Sequence, residues 1–211
     1  MADTPVKDTA RTEAFSDGVI AIAITILAFG IHVPTREESE AAGGLLNALA
    51  YHWPEYFGYF TSFLVILIMW INHHRLFRLF RCVDHNFLII NGLLLMCVSL
   101  IPFATDLVAE YLRQPEANIA AMVYCVLSLV IALLFQVLVR YAAHQRRLLM
   151  PSVRDETIAA ILRQYRFGPV IYVVSIVLAA LDARVGIGLI GLIALYFALP
   201  SHRDEIVRPT T

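Results

Sequence analysis

The residues of this chain with chemistry to offer gather where apolar runs begin or end. Arg11, Ser16 and Asp17 open the first run, Asn72, His73 and His74 close the second, and Asn91 sits one turn into the third. Ser, His and Asp are the residue types of a hydrolytic triad. Ser16 and Asp17, however, are neighbours about 100° apart on a helix, and no glycine elbow or oxyanion device accompanies the serine. No enzyme is expected. Adjacent His73 and His74 diverge by the same angle, so they do not offer two ligands to one ion, and neither a metal nor a cofactor is expected. What these groups do supply at one membrane depth is a set of ion pairs and hydrogen bonds that lets Asp17 stay charged while partly buried. Two alternatives stand beside that latch: a proton relay of the kind secondary transporters use, and plain anchoring of His73, His74 and the arginines among lipid headgroups.

The elements that must carry these groups are helices in a bilayer. A chain of 211 residues with 59% hydrophobic and 16% charged content and a mean hydropathy of +0.71 is too apolar for an ordinary soluble domain. Six apolar runs, at 15–33, 53–71, 87–108, 119–139, 167–181 and 185–199, predict an all-α membrane protein of six transmembrane helices in one domain, 1–211. The last two runs are short and parted only by Asp182-Ala183-Arg184, which suggests a tight hairpin or a re-entrant pair.

Thirteen of the 16 Lys and Arg residues, from Lys7 and Arg11 to Arg203 and Arg208, fall on one set of alternating sides. The positive-inside rule then puts both termini in the cytoplasm of a multi-pass plasma-membrane protein. The other side holds Glu37, Glu38, Glu40, Glu55, Asp106, Glu110, Glu116 and Asp182 against three arginines, an acidic outer face that attracts cations. The first run contains Asp17 and is followed by Pro34 rather than a small-residue cleavage site, so it is expected to be retained rather than removed as a signal. Cys82, Cys97 and Cys125 show neither disulfide nor metal spacing, and no basic tract interleaved with aromatics suggests nucleic acid.

At 100° per residue the first helix has two sides. Phe15, Gly18, Thr25, Ile26, Phe29 and Val33 fall within about 60° of Ile22, whereas Ser16 and Asp17 lie about 120° and 220° away. One side is an apolar ridge with a single hydroxyl, and the other is a polar foot. Periodicity leaves open whether the ridge faces core, lipid or a pore.

Residues Arg11-x-x-x-Phe15-Ser16-Asp17, followed by Gly-Val-Ile-Ala-Ile-Ala-Ile-Thr, closely resemble the signature of the transmembrane protein 175 family, the endolysosomal potassium channel and its shorter bacterial relatives. The likeness continues through Trp70-Ile71-Asn72-His73-His74-Arg75-Leu76-Phe77 and from Asn91 to Pro102-Phe103, covering the first three spans. The resemblance implies a homotetramer whose first helices line a potassium-permeable pore, with membrane lipid around it and potassium ions as its partners. By position, Ile22 resembles the main hydrophobic constriction, Ile26 and Phe29 further apolar rings, and Thr25 a hydroxyl ring tied to selectivity. Phe29 departs from the aliphatic residue more usual there. Arg11 and Asp17 resemble the family's ion pair, and Phe15, Ser16, Asn72, His73, His74 and Asn91 the motif network that braces it. No T-V-G-Y-G carbonyl filter is present, so an apolar neck is expected to select and to gate by dewetting.

Overall fold

The computed structural model describes residues 9–198. Lys7, Arg203, Arg208 and the last position of the sixth expected span, 199, lie outside the described residues. Nine α-helices occur among the described residues: α1 (Thr9–Ile26), α2 (Arg36–Ala41), α3 (Leu45–Tyr51), α4 (Trp53–Phe77), α5 (His85–Ser99), α6 (Ile101–Tyr111), α7 (Ala117–Ala143), α8 (Asp155–Leu181) and α9 (Ala183–Ala198). No β-strand forms there. One antiparallel bridge, Phe80 with Leu149, joins two loops, secured by Arg81 N–H to the Leu148 carbonyl (2.8 Å) and Met150 N–H to the Leu79 carbonyl (2.9 Å).

Five stretches are long and apolar enough to cross a membrane: Thr9–Gly30, Trp53–Phe77, His85–Tyr111, Ala117–Arg146 and Asp155–Leu181; a shorter apolar helix, Ala183–Ala194, follows. The chain is a multi-pass membrane protein. Local chemistry explains the boundaries. Pro54 lies in the first turn of α4, where its missing N–H costs no helical hydrogen bond. Asp84 caps α5 by accepting from the Phe87 N–H at 2.9 Å. Pro102, at the start of α6, divides the third span into α5 and α6.

Two expected spans need correction. The first is helical from Thr9, not from 15, and after Ile26 it tightens to a 3₁₀ turn over Leu27–Gly30 before Ile31 becomes extended. The chain is approaching Pro34, which disfavours helix in the residue before it. The fifth helix starts at Asp155, well before 167, because Asp155 and Glu156 suit the positive end of the helix dipole. At ~1.5 Å per residue its 27 residues reach about 40 Å, so it is not the short span that hydropathy alone suggested.

Helix α7 packs against α5, α6, α8 and α9, while α1 lies along α4 and α5 at one side. All three cysteines are buried and unpaired. Helices α8 and α9 form a tight hairpin in which the Asp182 Oδ1 accepts from the Arg184 N–H at 2.8 Å. The two helices then touch through small residues, since a Cβ added at Gly186 would lie 2.5 Å from the Ala179 Cβ. Gly186→Val should therefore overpack the hairpin and lower stability by roughly 1–3 kcal/mol, read as a drop in melting temperature in detergent. Gly188→Ala, with nothing within 4 Å of the new methyl, should leave it unchanged.

Candidate functional site

Helix α1 has one covered face and one open one. Ser16, Ile20, Ala23 and Leu27, spaced four, three and four apart, are buried against the bundle. Phe15, Gly18, Ile22, Thr25, Ile26 and Phe29 are exposed on the surface of the chain. Ile22 is 59% and Phe29 86% exposed, so much of the ridge stands uncovered by the described residues. Thr25 Oγ1 donates to the Ile22 carbonyl at 2.9 Å, so its proton is used within the helix while its lone pairs face outward.

A chain of hydrogen bonds holds the covered face. Ser16 Oγ donates to the Thr12 carbonyl (2.9 Å) and accepts from Asn91 Nδ2 (2.9 Å). The Asn91 Oδ1 lies 3.0 Å from His73 Nε2. An amide oxygen only accepts, so His73 carries its proton on Nε2. Ser16, Asn91 and His73 are all buried, and they tie α1 to α5 and α5 to α4. The His73 ring stacks on Phe77 at 4.4 Å between centroids, and its Nδ1 is buried without a hydrogen-bond partner.

Beside this buried chain runs a wetter one. Glu13 and Asp17 stand four residues apart on α1, opposite Trp70 and His74, four apart on α4. Trp70 Nε1 donates to Asp17 Oδ1 at 2.9 Å, and His74 Nδ1 meets Glu13 Oε1 at 2.8 Å. Trp70 stacks on His74, closing the group.

The resemblance-based network is thus partly assembled and partly redistributed. Ser16, His73 and Asn91 come together in one buried chain, and Asp17 and His74 in the adjoining one. Arg11 does not pair with Asp17 among the described residues. Six residues apart on a helix, the two side chains diverge by about 120° and climb about 9 Å, and Asp17 bonds to Trp70 instead. Asn72 does not join the network either. It lies one residue, about 100°, from His73 and lines a cavity of about 100 Å³ between α4, α7, α8 and α9 with Met69, Phe135, Tyr165 and Tyr172. Glu13 and Trp70 are partners that sequence reading missed, although the facing i, i+4 pairs were a usable signal. A second buried cluster was also missed: Ser62 Oγ lies 2.6 Å from Thr105 Oγ1 and 3.0 Å from the Tyr124 hydroxyl, joining α4, α6 and α7.

Residues 11–102 match the family model described as the endosomal/lysosomal potassium channel TMEM175. A potassium channel of Chamaesiphon minutus is 45% identical over 96% of this chain and 100% of its own length. A potassium channel of Streptomyces collinus is 39% identical over 97% of this chain and 100% of its own. The crystal structure of a lysosomal potassium-selective channel TMEM175 homolog from Chamaesiphon minutus superimposes with a TM-score of 0.82 at 45% identity, covering 90% of this chain and 96% of that one.

The two hydrogen-bond chains should differ in weight. Asn91→Ala strands the buried Ser16 and His73 groups and should cost about 1–3 kcal/mol. Glu13→Gln, in a partly exposed pair, should cost less than about 1 kcal/mol. Melting temperatures of the two variants in detergent check that order.

Proposed function

This chain belongs to the TMEM175 family of ion channels, and from that premise we propose that it is a potassium-selective cation channel built as a homotetramer around the first helix. The observation that carries this reading is the open ridge of α1. Its opposite face is locked by Ser16–Asn91–His73, so the helix cannot turn the ridge inward. Helices elsewhere in the subunit also expose apolar residues, which membrane lipid covers. The ridge differs in carrying Thr25, whose outward lone pairs would be idle in lipid.

Four such ridges around one axis make stacked rings. Ile22 forms the narrowest, an apolar neck in which an ion sheds part of its water with little in return, and Ile26 and Phe29 form further rings toward the outside. Thr25 contributes hydroxyl oxygens and the water they hold. Potassium loses hydration more cheaply than sodium, so the neck favours it, and the same neck gates by dewetting. The permeant potassium ions are the only ligand this function requires. In this reading 1–211 is one membrane domain with both termini in the cytoplasm, where most Lys and Arg lie, in the plasma membrane. The outer acids raise the local cation concentration at the mouth.

That the Chamaesiphon minutus and Streptomyces collinus relatives are named potassium channels supports this reading. The family and its relatives are ion channels, not enzymes, and nothing in them favours a coupled transporter. Purified protein in liposomes should pass potassium down its gradient. Ile22→Asn should raise flux severalfold and lower the preference for potassium over sodium, and Thr25→Val should lower the preference while flux persists. Unchanged selectivity in both variants would overturn the pore assignment.

A further inference from the structure

Two residues past the 3₁₀ turn that ends the first span, the backbone sets His32 among groups from two other elements. His32 Nε2 lies 2.9 Å from Glu38 Oε2 of α2. His52, just before α4, places its Nδ1 2.5 Å from Glu55 Oε1. The His32 and His52 rings stand 4.6 Å apart between centroids. The ligating atoms of His32, Glu38 and His52 all lie within 4.8 Å of one another.

We propose that His32, Glu38 and His52 form a binding site for a divalent transition-metal ion of the zinc class, with Glu55 as the fourth ligand. The donor set is two imidazoles and two carboxylates, the composition that suits such ions better than calcium or magnesium, which prefer oxygen alone. Bonds of about 2.0–2.2 Å in a tetrahedral site put donors about 3.3–3.6 Å apart. The atoms of His32, Glu38 and His52 lie near enough for side-chain rotation to reach that spacing, and Glu55 enters the site through its contact with His52.

The carboxylates are already oriented by backbone donors. The Thr35 N–H reaches Glu38 Oε2 at 2.7 Å, within a capping box that also returns Glu38 N–H to Thr35 Oγ1. The His32 N–H reaches Glu55 Oε2 at 2.6 Å. On Glu55 this contact leaves Oε1 toward His52, whereas on Glu38 the Thr35 N–H shares Oε2 with His32 and leaves Oε1 for an ion. The hydrogen bond from His32, followed by that from the Thr35 backbone, holds the Glu38 carboxyl down at about 2, so it is ionised under all ordinary conditions. The same hydrogen bond raises His32 above its usual value. The His32 and Glu38 side chains are 42% and 46% exposed, so an ion can reach them, whereas those of His52 and Glu55 are 17% and 19% exposed. An occupied site would tie the outer end of the first span to α2 and to the start of α4. This proposal concerns binding alone and stands or falls apart from the pore reading.

The test uses full-length protein in detergent with any affinity tag removed and adventitious metal stripped by chelation. Titrated Co²⁺ should bind once per subunit with the visible absorption bands of a tetrahedral nitrogen-oxygen site, and equimolar Zn²⁺ should bleach them. Zn²⁺ should also raise the melting temperature. His32→Ala, His52→Ala and Glu38→Gln should each weaken Co²⁺ binding by at least about tenfold. Glu38→Gln keeps the side-chain shape, so it remains informative if either histidine variant misfolds. His85→Ala, at the opposite end of the bundle, should bind as the parent does. Absence of the tetrahedral bands, or full binding by Glu38→Gln and whichever histidine variant folds, would overturn the site.

Discussion

A polar group inside a bilayer must find its partner within the protein, because no water is there to replace it. The Ser16–Asn91–His73 chain meets that demand across three helices at every polar atom but His73 Nδ1, and much of the architecture follows from it. Each member is short of partners if one is removed, so the three helices hold a single rotational setting. Apolar packing of Ile20, Ala23 and Leu27 alone would tolerate a helix sliding or turning by a fraction of a turn. Directional hydrogen bonds do not. The ridge of Ile22, Thr25, Ile26 and Phe29 is outward because Ser16 is inward.

The same economy recurs deeper in the bundle. Thr105 donates to the Ile101 carbonyl at 2.8 Å, which leaves its oxygen to accept from Ser62, whose own oxygen then accepts from Tyr124. Pro102 opens the helix in which Thr105 sits, and the hydroxyl cluster joins α6 to α4 and α7 close to that break. At the α8–α9 hairpin the device is different. Gly186 and Ala179 bring two backbones together, and dispersion does what hydrogen bonds do elsewhere. Polar specificity holds the helices nearest α1, and small-residue packing holds the hairpin farthest from it in sequence.

The two ends of the first span are held by unlike chemistry. At the start, Trp70 and His74 bind the carboxylates of Asp17 and Glu13 in a half-wet row. At the far end, His32 meets Glu38 and its backbone reaches Glu55. Both rely on carboxylates paired with imidazole or indole donors rather than with arginine. Such partners are compact and fit a crowded helix crossing, where a guanidinium on its long stem would need more room.

Much of this was legible from residue order alone. Hydropathy located the apolar runs, and the 3.6-residue period split α1 into two faces, of which one is open and the other covered. These are local properties, decided within one or two turns of chain. Pairings between helices were not legible. The Arg11–Asp17 pair gave way to Trp70, Asn72 turned toward a cavity, and α8 extended twelve residues beyond its apolar run. Residue order states which groups need partners and on which side of a helix they lie. Which group answers across a helix crossing depends on the distance and rotation of two packed cylinders, and only the tertiary structure settles that.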